Sequence, residues 1–325
     1  MRLTLIFQIE GLKVENLNRP FTYSLMPLIN GSAEIKKTLE LNFVDQNAFE
    51  FFGFGALNRL ATKPFFIMII NASPENIDYI STISERIFFT HVEIFLDSLW
   101  FIKDNSCHSL ICYHAIHEKG LFGIIHNYRF ATNCVGGKED VSFTSEEFDR
   151  ALELDKKLQP IINLEMDDSM LRKMMECNFQ QGMENTQNYN RGDRINRAYY
   201  FLKAARNSYF IVMKLSLYMN MYECLFTTDA SEIIHKMSER VACYYTQDKE
   251  KRLEVFKIMK SAYGIRSRYF HGKDLGKNKI FDTIPAILKQ LDNLTREVFT
   301  RVVSEDFEIF LKPDMEPFFE RLIFS

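Results

Sequence analysis

The stretch from Ala262 to Lys273, A-Y-G-I-R-S-R-Y-F-H-G-K, gathers side chains suited to work on a phosphate. Histidine takes or gives a proton near neutral pH, so His271 is a candidate base or acid. Arg266 and Arg268 are permanent cations whose donor forks match phosphate oxygens, and Ser267 can hold either kind of group in place. On a helix, Arg268 and His271 are three residues apart and share a face. Arg266 and His271 are five apart, roughly 140° around the axis. One helix therefore does not aim that second pair at a single atom, whereas a frayed end or a second copy across a twofold axis would. As an isolated R-x4-H the pair has a plainer reading too, capping carbonyls at the helix end.

These groups need a helix beneath them. Leu253, Phe256, Met259, Tyr263 and Phe270 recur at three- and four-residue steps, Asp248 offers an N-cap and Gly272 a left-handed stop. The motif then sits on the last turn or two. Upstream, Ala198 to Phe226 reads as one long helix or two stacked ones. Glu223 lies in its apolar text, where an unpaired buried carboxylate is costly. Pairing with Arg266 at hydrogen-bonding distance would relieve that cost and orient the guanidinium, whereas exposure through a gap would make Glu223 a surface residue. Asp229-x-x-Glu232 predicts a capping-box start for a helix over 233–245. Ile284 to Val303 closes a bundle, and Pro313 to Phe324 reads as a docking helix.

Arg266, a polar residue at 267, three residues and His271 resemble the R-polar-x3-H signature of HEPN domains. The longer string Tyr263-x-Ile265-Arg266-Ser267-x3-His271-Gly272 is similar to their Apea-like branch, with Glu223-Cys224-Leu225-Phe226, Ile233 through Ala242 and Phe256 to Lys260 fitting upstream. The resemblance covers roughly the C-terminal half. It implies an all-helical homodimer whose two motifs meet in one cleft, acting as a metal-independent RNA endonuclease or as a non-catalytic module that binds a nucleotide or protein. In the first case His271, Arg266 and Ser267 are catalytic, and one His serves as base while its mate serves as acid. Arg268, Lys273 and Arg197 hold RNA phosphates, Glu223 orients Arg266, and no metal or cofactor takes part. RNA is preferred to DNA because only RNA carries the internal 2′-hydroxyl nucleophile. The implied setting is host defence or toxicity, with an antitoxin or defence partner. Some relatives carry a modifiable Tyr two residues past the His; Lys273 stands there, so that form of regulation is not expected.

The whole chain sets bounds on this reading. Its 325 residues suffice for two domains, and 46% hydrophobic content is ordinary for a folded protein. Thirty Phe residues point to large aromatic cores. A net charge of −3 argues against a surface coated for nucleic acid, so an RNA site is expected to be a local patch. Between Asp248 and Ile280 ten Lys or Arg face four acids, which supports an anionic partner; a solvated helix face followed by a basic loop has the same composition. Six scattered Cys without a C-x-x-C pair fit a reducing, cytoplasmic setting. Polar residues interrupt the opening M-R-L-T-L-I-F-Q-I-E, so it is not expected to act as a signal peptide. Tyr209 to Phe226 contains Lys214, Asn220 and Glu223, which favours a buried bundle helix over a membrane span.

The expected fold class is α+β: a mixed α/β recognition or regulatory domain over 1–143, then an all-α HEPN-like bundle over 144–325. Met1–Val14, with Gly11 a bend or bulge, Leu39–Val44, Phe65–Ile70, Leu110–Tyr113 and Leu121–Tyr128 read as strands. Helix is expected near Pro74–Ser84 and His91–Ile102, and Val135 to Asp140 reads as a boundary loop. Thr144-x-x-Glu147 fits a capping box ahead of Phe148, Ala151 and Leu152, and 166–183 is a further helical stretch. The polar run 184–197 reads as a loop or frayed helix start, with Arg191, Arg194 and Arg197 near phosphates or simply solvated. Cys107, His108, Cys112, His114 and His117 form the one metal-like cluster, in a spacing that matches no ligand framework, so a polar, partly buried strand is the expectation.

Overall fold

Alternating apolar residues at the amino terminus build a central strand, β1 (Arg2–Glu10). The computed structural model describes residues 1–14, 20–24, 26–30, 46–127, 129–159, 161, 193–229, 232–273, 275 and 280–324. The expected strand at 39–44 and helix at 166–183 lie outside them. The described residues divide into two compact units: 1–131 with 138–155, and 132–137 with 156–159, 161 and the residues from 193 on. The fold is α+β.

In the first unit β2 (Leu12–Lys13) pairs in parallel with β8 (Val141–Ser142). A six-stranded antiparallel sheet joins β3 (Thr22–Tyr23), β4 (Met26–Ile29), β5 (Phe65–Asn71), β1, β6 (His108–Ile116) and β7 (Leu121–His126), in that order. Successive side chains of a strand point to opposite faces. Leu3, Leu5, Phe7 and Ile9 of β1 enter the core shared with α2 (Ile77–Ile102) and α3 (Ser145–Leu158), while Ile6 meets Phe52, Ala56 and Leu60 of α1 (Gln46–Thr62). Because β1 is covered on both sides, its polar residues need partners. Thr4 Oγ1 lies 3.0 Å from His117 Nε2, and Gln8 Oε1 accepts from Tyr113 Oη at 3.3 Å. Gly11 is the expected bend: its φ is 76°, and a Cβ there would lie 2.6 Å from the Ser106 carbonyl oxygen.

Two expectations change here, and one helix is new. Residues 77–102 form one helix, because no Gly or Pro interrupts the stripe through Ile80, Ile87, Phe88 and Val92. Helix α1 had no counterpart in the sequence reading; it bends at Gly53, which is non-helical (φ 71°, ψ 165°). The 143/144 boundary is also displaced. The capping box forms, with Glu147 N donating to Thr144 Oγ1 at 3.2 Å and Thr144 N to Glu147 Oε2 at 2.9 Å. Its helix, however, packs into the first unit, where Phe148 stands 4.6 Å from the Phe21 ring and 6.1 Å from Phe95.

The second unit is all-helical: α4 (Arg194–Arg206), α5 (Ile211–Phe226), α6 (Ile233–Tyr245), α7 (Lys249–Phe270), α8 (Ile280–Ser304), short α9 (Phe307–Phe310) and α10 (Glu316–Phe324). The stretch 198–226 is thus two helices. Central α5 packs against α4, α6, α7 and α8, and its buried hydroxyls find partners on α8: Tyr218 donates to Asp292 at 2.5 Å and Tyr222 lies 3.2 Å from Thr295. The expected capping role of Asp229 is not observed. Glu232 takes the N-cap position in a left-handed conformation (φ 51°) without a side-chain cap, and the Asp229 carboxylate accepts from Lys236 instead. Among the described residues no helix is long and apolar enough to cross a membrane.

Candidate functional site

Helix α7 opens at Asp248, whose carboxylate accepts from the backbone N–H groups of Glu250 and Lys251. These bonds favour the charged form and lower the Asp248 pKa. Val255, Met259, Ala262 and Ile265 are the buried residues of α7, and half-buried Arg266 follows directly after them. Helix α7 packs against α5, α6 and α8, and the guanidinium reaches Glu223 on α5. Arg266 Nη1 donates to Glu223 Oε1 at 2.5 Å and Nη2 to Oε2 at 3.3 Å, a two-pronged fork with side chains 21% and 24% exposed. Arg266 Cζ also lies 5.2 Å from the centroid of the Tyr263 ring, a cation–π contact. The contact expected from the apolar text around Glu223 is present, and the reading of Glu223 as a surface residue is not needed.

Arg266 does not cap the helix. The backbone closes α7: Gly272 has φ 65°, its N–H donates to the Tyr269 carbonyl at 3.1 Å, and the Lys273 N–H donates to the Arg268 carbonyl at 2.9 Å. This is the paired bonding of a Schellman stop. A Cβ at Gly272 would meet nothing within 4 Å, so the backbone conformation, not crowding, calls for glycine. His271 is the C-cap and its N–H donates to the Ser267 carbonyl at 3.1 Å. Its imidazole is exposed and makes no hydrogen bond among the described residues; Arg268 and Lys273 are exposed beside it, and Ser267 is half-buried. Within one copy, Arg266 therefore faces α5 while His271 stands at the open tip, as the angular spacing requires.

Residues 184–192 of the polar run 184–197 lie outside the described residues, and the rest begins a helix. Asp193 caps α4 by accepting from Asn196 N at 2.8 Å, so 194–197 are helical. Arg194 is committed to the carbonyls of Leu225 and Thr227 at 3.0 and 2.8 Å, at the end of α5. Arg197 is exposed and hydrogen-bonds Cys224, the neighbour of Glu223, a thiol whose pKa burial raises. Arg191 lies outside the described residues.

The Cys/His cluster is spread over separate partners. Cys107 Sγ lies 3.2 Å from the Gly11 carbonyl oxygen, His108 Nδ1 2.7 Å from that of Ser106, and His114 Nδ1 3.1 Å from Glu85 Oε1. Burial raises the Glu85 pKa, and His114 opposes that rise. Cys112 is fully buried, which pushes its thiol well up. Among the described residues no three His, Cys, Asp or Glu side chains come together as a metal-ion group.

The sequence reading missed an aromatic row beside the motif. Phe210, the N-cap of α5, lies 5.7 Å from Tyr269, and Tyr269 lies 5.4 Å from Phe270 between ring centroids. Tyr269 and Phe270 are three and four residues past Arg266, a spacing that signals a shared side of α7. Phe210 carries no such signal. Comparison with protein-family models, curated proteins and solved structures returns no match to this chain.

Proposed function

We propose that this protein is a metal-independent endoribonuclease that acts as a homodimer through Arg266, Ser267 and His271. The observation that carries the proposal is the division of labour at the end of α7: a guanidinium held in a carboxylate fork, and an imidazole left open to solvent at a rigid helix stop. In the proposed reaction a base removes the proton of a ribose 2′-hydroxyl. The O2′–P bond forms, the P–O5′ bond breaks, and an acid protonates the departing 5′ oxygen, leaving a 2′,3′-cyclic phosphate. His271 of one copy serves as base and its mate as acid. Arg266 stabilises charge developing on the phosphate oxygens, Ser267 positions either group, and Arg268, Lys273 and Arg197 hold flanking phosphates. The first unit acts as a recognition or regulatory element, in a cytoplasmic defence or toxin setting with an antitoxin or defence partner.

Purified protein should cleave RNA in EDTA as a dimer. His271→Ala should abolish cleavage with the circular dichroism spectrum and molar mass unchanged. Cleavage that survives His271→Ala defeats the assignment. One observation favours a second reading, a non-catalytic dimerisation module that binds a nucleotide or protein: Arg266 is already neutralised by Glu223. A stable dimer that cuts no RNA supports that reading.

A further inference from the structure

We propose that Phe210, Tyr269 and Phe270 form a stacking shelf for the unpaired bases of single-stranded RNA. The inference rests on the ribonuclease reading for its choice of RNA, and it names the form of RNA that the site takes. The two outer rings are open, Phe270 at 58% and Phe210 at 47% exposed, while Tyr269 between them is half-buried. Tyr269 meets Phe210 at a tilt of 58° and Phe270 edge to face at 77°, so the middle ring braces two outer rings that stay exposed.

The shelf is rigidly mounted. Phe210 leaves the turn between α4 and α5, and the segment 132–137 grips that turn. Thr132 N donates to the Arg206 carbonyl at 2.8 Å, and Thr132 Oγ1 lies 2.8 and 2.9 Å from the carbonyl oxygens of Arg206 and Ser208. Gly136 approaches so closely that a Cβ there would lie 2.4 Å from the Tyr209 carbonyl oxygen, and its φ is 80°. The loop that reads as a mere boundary in the sequence is a clamp on this turn.

Charge selects the occupant. Arg268, His271 and Lys273 are exposed on the same end of α7, and neither 207–222 nor 261–273 contains an Asp or Glu. Aromatic faces interleaved with cations fit a strand whose bases are free to stack and whose backbone is anionic. A duplex keeps its bases stacked inside, and an apolar protein surface gains nothing from the cationic rim.

The test uses a fluorescent oligothymidylate, which lacks the 2′-hydroxyl and cannot be cut by the proposed chemistry. Fluorescence anisotropy should show binding to this single strand and weaker binding to a hairpin duplex of equal length. Phe210→Ala and Phe270→Ala should each weaken single-strand binding roughly five- to hundredfold, with unchanged circular dichroism, and Phe270→Tyr should retain most of it. Absence of binding by the wild type, indifference to both alanine variants, or preference for duplex overturns the shelf. So does a fall in molar mass by light scattering in Phe270→Ala, which would assign the rings to a second copy of the chain. Shelf-dependent binding by a protein that cuts no RNA leaves the shelf standing and removes the ribonuclease reading. RNA cleavage with binding indifferent to both alanine variants does the reverse.

Discussion

The Glu223–Arg266 fork makes a quantitative prediction. Charges about 4 Å apart attract by about 4 kcal/mol at an effective dielectric constant near 20. That gross figure is reduced by desolvation, and each side chain here keeps a fifth to a quarter of its surface in water. Exposed pairs contribute about 0–1 kcal/mol, and breaking a buried pair costs about 3–5 kcal/mol. This pair lies between, so a double-mutant cycle of Glu223→Ala and Arg266→Ala in urea should give a coupling of about 1–3 kcal/mol. A coupling under about 0.5 kcal/mol refutes the claim that the fork joins α5 to α7. The same pair separates orientation from scaffolding. If Glu223 aims the guanidinium, Glu223→Gln should lower kcat roughly ten- to hundredfold with KM little changed, at a temperature where the protein is folded. Arg266→Lys should not restore activity, because an ammonium lacks the planar fork. A kcat that merely tracks the folded fraction makes Glu223 structural only.

Three further outcomes test the fold. His91 is buried with Nδ1 3.3 Å from Tyr23 Oη, which in turn donates to Asp155, and with Nε2 unpartnered; burial lowers its pKa from 6.5 to about 4. The unfolded chain therefore binds this proton first, so the contribution of neutral His91 is complete above pH 6.5 and is lost as pH falls toward 4. The loss should approach about 3 kcal/mol in urea midpoints of the first unit, and His91→Gln should flatten the slope. Gly11→Ala forces a left-handed residue against the Ser106 carbonyl and should cost at least about 1–3 kcal/mol by thermal melting; a neutral result would contradict the bend. Thr144→Ala removes a cap from α3 and should cost about 1 kcal/mol, read as loss of the first unit's cooperative transition rather than the second's, because Phe148 packs there.

The sequence exposed what depends on local alternation and on uncompensated charge. Strands β1, β5, β6 and β7 follow from alternating or continuous apolar runs, and Gly11 from its place between two of them. The Glu223–Arg266 pair was legible because a carboxylate in apolar helical text needs a counterion and the motif supplied one within reach. Long-range packing was not legible. A capping box shows where α3 starts, but nothing in Thr144–Glu147 says which core Phe148 will enter. Helix α1 escaped notice because its Phe residues crowd together and Gly53 breaks its regular geometry. Phe210 and Tyr269 meet only because α5 and α7 pack, so their pairing leaves no trace in spacing.

The two side chains of the proposed site differ in what the fold asks of them, and that difference governs how their substitutions can be read. Arg266 stands where the buried stripe of α7 runs out, so it both ties α7 to α5 and offers a guanidinium beside the motif. Removing it leaves Glu223 unpaired in an apolar setting, so lost activity in Arg266→Ala mixes chemistry with stability. His271 has no structural duty of that kind. Its backbone position is fixed by the bonds closing at Gly272, and its ring is bonded to no described residue. Truncating an exposed ring that makes no hydrogen bond to a described residue should shift stability by no more than about 0.5 kcal/mol. If the proposed chemistry holds, His271→Ala is therefore the substitution whose effect on cleavage is free of a stability change, and a variant that lost both cleavage and stability would show that the ring is packed in a way its exposure denies.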